Sequence, residues 1–359
     1  MNDDGLKLTI YFGERDRVEG SFLADRLLDI FEHHRLAASV LMRGVEGFGI
    51  KHHLHTDRLL SLSEDLPLVA VAVDERDRVE AAVVEVGELS FDGLVTLERA
   101  RIVSDATAPT GLPEDLRPAA KLTLYFGRGR RAHGRPAYEA ALDLLRRGGI
   151  DGGTVLVGVD GTFAGDRRRA RFFGQNQEVP AMLISVGSGE LIARALPELR
   201  DVLGGPPATL ERVQVLKRDG AALGTVPEIP SADGEGMSVW VKLMLYSSEQ
   251  THVAGHPVHV EAVRRLRHDR AAGCTALRGI WGYDGRHPPH GDTFWSLRRR
   301  VPTLTVVVDA PEKARRWFAL LDEITPERGL ITSEIVPAFR ATSPEVVHGG
   351  LRLARRLKL

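Results

Sequence analysis

The sequence predicts an α+β fold in which one βαββαβ unit is written three times, and three observations carry that prediction. A strand motif recurs as Lys7-Leu-Thr-Ile-Tyr11, Lys121-Leu-Thr-Leu-Tyr125 and Lys242-Leu-Met-Leu-Tyr246. Aligning the three tyrosines brings three glycine columns into register: Gly20, Gly134 and Gly255; Gly44, Gly158 and Gly279; Gly47, Gly161 and Gly282. With glycine at about a tenth of the chain, one such column arises by accident on the order of once in a thousand, so three of them argue for true repetition. Within each copy the hydrophobic period then switches between strand-like and helix-like spacing. Pro67, Pro180 and Pro302 follow, and later Thr96-Leu-Glu98, Thr209-Leu-Glu211 and Thr332-Ser-Glu334.

Each element has a local reason. Leu8-Thr-Ile-Tyr-Phe12 alternates as a half-buried strand does. After Gly20 the apolar residues Leu23, Leu27, Leu28 and Phe31 recur at helical spacing, matched by Leu142 and Leu145 and by Val263 and Leu266. A second strand over residues 39–45 ends in the glycine pair. A third, Leu68-Val-Ala-Val-Ala-Val73, is wholly apolar, as is Thr305-Val-Val-Val308. The second helix starts near Asp77, Glu190 and Pro311, with Trp317, Leu320 and Leu321 sharing one face in the third copy. Residues 94–103, 210–216 and 331–336 supply the final strand. This order is the ferredoxin-like signature, a four-stranded antiparallel sheet with both helices on one face. The bare sheet face needs a cover, and three joined copies provide one by packing those faces around a pseudo-threefold axis, as a homotrimer does with separate chains.

The expected domains are residues 1–103, 120–218 and 239–340. Residues 104–119 and 219–238 are linkers dense in Gly, Pro and small polar residues, and 341–359 form a basic tail with Leu351, Leu353, Leu357 and Leu359 among basic residues, read as a frayed or self-docked helix. Overall charge is balanced at 48 Lys+Arg against 49 Asp+Glu, yet the balance is uneven along the chain. The net is −8 over residues 1–103, +6 over 121–218 and +4 over 240–340.

At 359 residues and 43% hydrophobic, the composition is that of a globular protein with core to spare. Cys274 is the single cysteine, which excludes an intrachain disulfide and a thiolate-built zinc site. The start MNDDGLKLTIYFGERD lacks a basic segment followed by an apolar stretch, and no apolar run approaches the ~20 residues a bilayer needs. A cytoplasmic protein is the expectation.

The first copy resembles a known family through Tyr11-Phe-Gly-Glu14, Met42-Arg-Gly-Val-Glu-Gly-Phe-Gly49, His55-Thr56, Leu62-Ser-Glu-Asp-Leu-Pro67 and Leu94-Val-Thr-Leu-Glu98. These residues resemble the small PII-like proteins grouped as domain of unknown function 190. The second and third copies look like divergent members, keeping the glycines and the proline but losing Gly-Phe-Gly, His-Thr and Ser-Glu-Asp-Leu-Pro. The resemblance implies three tandem ferredoxin-like domains forming an intramolecular PII-like pseudo-trimer, a monomer that does the work of three chains. It implies a sensor or adaptor without catalysis, binding a small anionic ligand between repeats, an adenine nucleotide being one candidate, and regulating a partner through the loop after the second strand, here about residues 48–65. It also implies an alternative: an adaptor of an ion-transport protein, such as a fluoride channel, with no small ligand at all.

The site this resemblance implies is lined by Arg43, Gly47, Phe48, Gly49 and His55, with Arg99 and Arg101 from the last strand of the first copy. PII proteins carry a phosphate-binding lysine just before that strand, where this chain has Asp92-Gly93-Leu94. Glycines 44, 47 and 49 allow close approach of backbone N–H groups to an anion. Gly44 and Gly47 recur in every copy, which favours a packing role for them; Gly49 is confined to the first copy, which favours function.

The remaining candidates read as structure. His52, His53 and His55, like His287 and His290 near His252, His256 and His259, lack a fixed-spacing Cys or acidic partner and read as solvated loop residues rather than metal ligands. Gly127-Arg-Gly-Arg-Arg-Ala-His-Gly134 has the wrong spacing for a dinucleotide fingerprint. Arg167-Arg-Arg-Ala-Arg171 is basic without interleaved aromatics, so no nucleic acid is expected; it reads as a solvated charged loop, with pairing to the acidic first copy as the alternative. Gly187-Ser-Gly-Glu190 fits an ordinary strand-to-helix turn. No nucleophile elbow, Walker loop or paired carboxylates argue for an enzyme.

Overall fold

The structure, a computed structural model, describes residues 2–49, 55–56, 65–103, 112–170, 178–284, 290–291, 301–343 and 346–356. It is a mixed α+β architecture with six α-helices among the described residues. The first copy comprises β1 (Asn2–Gly13), α1 (Leu23–His33), β2 (Ala38–Arg43), β3 (Glu46–Phe48), β4 (Pro67–Glu75), α2 (Arg76–Glu88) and β5 (Gly93–Val103). The second comprises β6 (Ala120–Gly127), α3 (Ala137–Arg147), β7 (Gly152–Val157), β8 (Asp160–Phe163), β9 (Pro180–Gly187), α4 (Gly189–Leu203), β10 (Ala208–Arg212) and β11 (Gln214–Arg218). The third comprises β12 (Trp240–Ser248), α5 (Val258–His268), β13 (Cys274–Arg278), β14 (Trp281–Asp284), β15 (Pro302–Asp309), α6 (Pro311–Glu323), β16 (Leu330–Val336) and β17 (Ala338–Thr342).

Every copy pairs its strands in the same antiparallel order, fourth–first–third–second: β5-β1-β4-β2, β10-β6-β9-β7 and β16-β12-β15-β13. Alternation sorts the side chains of β1. Leu6, Leu8, Ile10 and Phe12 join Leu27, Phe31, Val79 and Val86 of the two helices in one core, while Lys7, Thr9 and Tyr11 point to the other side of the sheet. Two similar cores lie under α3 with α4 and under α5 with α6. A fourth core draws on all three copies, including Val71, Tyr125, Ile184, Tyr246 and Val306. The second sheet faces thus bury one another, each fully buried Val, Leu or Ile contributing about 1.5–3 kcal/mol.

Two strand exchanges close a cycle. The short strand after the second strand leaves its own copy each time: β3 pairs with β13, β14 with β7, and β8 with β2. The ends of the last strands run the opposite way round, with β5 meeting β10, β11 meeting β16, and β17 meeting β5. The glycine columns at 44 and 47 sit at the first of these exchanges. A Cβ on Gly47 would lie 2.8 Å from the Cys274 carbonyl oxygen, on Gly161 2.2 Å from that of Ser39, and on Gly282 2.7 Å from that of Gly153. Packing therefore accounts for this column. The Gly20, Gly134 and Gly255 column answers a different need: each has φ near +81°, as the second central residue of a two-residue hairpin loop.

Arg167 takes the alternative of pairing with the first copy rather than standing in a solvated loop: it bonds Asp25 at 2.6 Å and Asp29 at 3.1 Å on α1, and Asp160 at 2.8 Å, while Arg168 pairs within its own copy. The tail corrects one expectation, because residues 347–350 form a strand on β17 rather than a helix. The hairpin wins because β17 offers a free edge, and Leu351 and Leu353 then pack on the first core. His52, His53, His287, Arg171, Leu357, Leu359, most of the 48–65 loop and residues 104–111 lie outside the described residues. No described helix is long and apolar enough to cross a membrane.

Candidate functional site: an inter-repeat cleft and a buried ionic ring

The exchange of β3 opens a cleft of about 260 Å³ between the first and third copies. Tyr11 and Phe12 at the end of β1, Phe48 and Gly49 at the end of β3, and Asp92-Gly93-Leu94 at the start of β5 form one wall. The other is Trp240, Ala272 to Thr275, Val306, Val308 and Thr342. Trp240 is fixed by stacking on Phe339, ring centroids 3.9 Å apart. The Thr342 hydroxyl donates to the Phe91 carbonyl at 2.6 Å and ties β17 to the loop before β5. Cys274 is buried here and burial pushes its thiol far above the ordinary value, so it lines the cleft as a small apolar residue.

The cleft's charge is acidic. Asp16, Asp65 and Asp92 line it, and no Lys or Arg does so among the described residues. Asp16 accepts from the Gly13 N–H and Asp65 from the Arg15 N–H, both at 2.8 Å.

Of the residues expected from the sequence, Phe48 and Gly49 line this cleft, and Gly47 lies just behind them against Cys274. Gly49 is exposed and a Cβ there would meet nothing within 4 Å. His55 pairs with Gly47 through the backbone. Arg43 is engaged on the surface by Glu14. Arg99 and Arg101 are elsewhere: they line a second cavity, where Arg99 donates to the Ala354 carbonyl and Arg101 bonds both oxygens of Asp115 at 3.0 Å. The column that holds Gly49 holds Phe163 in the second copy and Asp284 in the third, so the three inter-repeat positions are chemically unlike.

Behind the cleft lies a feature that spacing alone did not single out. Lys7, Lys121 and Lys242, from the repeated strand motif, face Glu98, Glu211 and Glu334 of the repeated Thr-x-Glu triplets directly across each sheet. Each ammonium also reaches the carboxylate of a second copy: Lys7 to Glu211, Lys121 to Glu334 at 2.5 Å, Lys242 to Glu98. The six groups alternate in a closed, buried ring that joins all three copies. Burial pushes the carboxyls up, but the surrounding ammoniums outweigh it and hold Glu98 and Glu211 well below the carboxylate range. The three carboxylates come within 4.8 Å of one another, a spacing suited to a cation. The three ammoniums already balance that charge, so the ring reads as a structural device rather than a metal centre. Burial raises Tyr11, Tyr125 and Tyr246 beside it, keeping their phenols neutral.

Comparison with known proteins agrees with the threefold reading. The family model DUF190, described as an uncharacterized ACR, matches residues 5–102, 119–215 and 240–338. A UPF0166 protein of Aquifex aeolicus (strain VF5) is 25% identical over 96 residues, 27% of this chain and 90% of its own length. Among solved structures, an unknown protein from Galdieria sulphuraria overlaps 58% of this chain and 96% of its own at 11% identity, with a TM-score of 0.17. The inactive domain of a peptidase M16 from Pseudomonas fluorescens overlaps 89% and 73% at 11% identity, with a TM-score of 0.14. Superpositions that poor carry no argument about fold.

Proposed function

The chain belongs to the DUF190 family, and from that premise we propose that it is a PII-like sensor or adaptor, three ferredoxin-like units acting as one intramolecular pseudo-trimer. Its small ligand sits in the cleft between the first and third repeats, and its output is a protein partner. The observation that carries this reading is the cleft itself, which exists only because β3 crosses to β13 and sets Phe48 and Gly49 against Ala272 to Thr275. The fourth–first–third–second strand order and the cyclic exchanges support the pseudo-trimer.

The lining favours a planar ligand with hydrogen-bond donors. Tyr11, Phe12, Phe48 and Trp240 offer ring contacts, and three aspartates accept. The adenine moiety of a nucleotide has that chemistry; its phosphates meet no cation among the described lining residues.

Thermal denaturation of the full chain with adenosine, AMP and ATP tests the proposal. Stabilisation should follow ligand concentration, reaching about 2.7 kcal/mol at a hundredfold excess over Kd. Gly49→Phe, which installs the residue of the second copy, should abolish the shift while leaving the unliganded Tm unchanged, because the position is open. No shift with any of the three compounds overturns the ligand-binding reading and leaves the adaptor of a transport protein as the better account.

A further inference from the structure

The second cavity measures about 750 Å³ and lies where the last strands of the three copies converge, with Glu334 of the ionic ring in its floor. Six arginines line it: Arg99, Arg101, Arg212, Arg218, Arg355 and Arg356. The carboxylates of the wall are already committed. Asp115 pairs with Arg101 at 3.0 Å, Asp151 with Arg218 at 2.7 Å, and Glu334 with Lys121 and Lys242. Arg355 reaches outward to Glu235.

Arg99 and Arg356 have no carboxylate among the described residues. Arg99 is half-buried and, among the described residues, bonds only the Ala354 carbonyl; burial lowers its pKa, and the cations of Arg356 and Arg76 lower it further. A guanidinium so placed gains from an anion that it can grip with its planar fork. The rest of the wall is mainly apolar, interrupted by Ser188, Gln214 and Ser333. It includes Val215 and Ile229, and Leu223, whose 52% exposure is rare for a large aliphatic side chain in this molecule.

We propose that this cavity binds a phosphate monoester with an apolar body, its head held by Arg99 and Arg356 and its body laid along Val215, Leu223 and Ile229. The site is separate from the inter-repeat cleft and stands whether or not the cleft takes a ligand. It also gives Arg99 the anion-binding role that its sequence suggested, in a different place.

Fluorescence titration of the full chain with 1-naphthyl phosphate, against inorganic phosphate and 1-naphthol as half-ligands, tests it. The ester should bind at least about tenfold more tightly than either half, with affinity falling as salt rises. Arg356→Gln, at an exposed position that folding does not need, should weaken binding about tenfold. Arg99→Gln should do the same, and Arg99→Lys should restore part of the loss. Gly49→Phe should leave it unchanged, which separates this site from the cleft. The proposal falls if the ester fails to bind at about 1 mM. It falls equally if both glutamine variants bind as the parent does, or if Gly49→Phe abolishes binding.

Discussion

Lys242 stands opposite Glu334 in its own sheet at 3.0 Å, and the same ammonium bonds Glu98 of the first repeat. Every lysine of the ring repeats this double engagement, so each ties its own repeat to another. Taking six charges out of water is costly, and only a complete, balanced ring offsets it. Lys242→Met leaves Glu98 and Glu334 facing excess negative charge, and should destabilise the chain by about 3–5 kcal/mol in urea denaturation. Adding Glu334→Gln restores neutrality, so the double variant should be more stable than the sum of the two single losses implies. An additive double-mutant cycle would show that the ring is not coupled.

The ring also sets an acid limit. Its ammoniums hold Glu211 down to about 2 against the upward push of burial. A carboxyl with a folded value below its unfolded one contributes stability that is complete above about pH 4.3 and lost as pH falls through the folded value. Unfolding free energy should therefore drop between about pH 4.5 and pH 2, and Glu211→Gln should flatten that slope while lowering stability at neutral pH. An identical slope in the variant would mean that Glu211 takes up its proton over the same pH range folded and unfolded, so that the ammoniums do not hold it down.

Both members of the ring were visible in the sequence as repeated columns, yet their meeting was not. A lysine opening a strand is ordinarily solvated, and Lys7, Thr9 and Tyr11 look like an exposed face until another sheet covers it. That cover comes from the other repeats, and no single repeat's periodicity encodes it. Helices and main strands were legible because each buries a face against its own partner. Strand β3, three residues long, is too short to show a period, so the exchange that builds the cleft left only its glycines as a trace. The same blindness put Arg99 beside Gly49: strand membership was readable, but which inter-repeat space a strand end faces was not.

Those glycines separate packing from function. At Gly47 a Cβ would press on the Cys274 carbonyl and on Pro67, both backbone-anchored, so Gly47→Ala should cost about 1–3 kcal/mol. Gly49→Ala, two residues on and facing open space, should change stability by less than about 0.5 kcal/mol. Equal losses at the two positions would refute the exchange of β3 as drawn. Denaturant midpoints at constant m-value give the comparison directly.

Arg167 supplies the last test, of the contact between the second repeat and the first. Its guanidinium gathers Asp25 and Asp29 from α1 together with Asp160 of β8, and Asp160 is only 3% exposed. Arg167→Met leaves Asp160 with the longer contact to Arg169 at 3.5 Å as its remaining ion pair. Desolvated and poorly paired, that carboxylate should cost about 1–3 kcal/mol, several times the worth of an exposed ion pair. Lysine cannot replace the fork that serves three carboxylates, so Arg167→Lys should recover less than half of the loss. Amide exchange should report where the damage falls: protection should drop along β8 and its partner β2, which pair from Ala38 opposite Phe163 to Leu41 opposite Asp160, and stay unchanged across β12 and β16. A uniform loss of protection over all three repeats would instead make Arg167 part of the global folding unit rather than a local clasp.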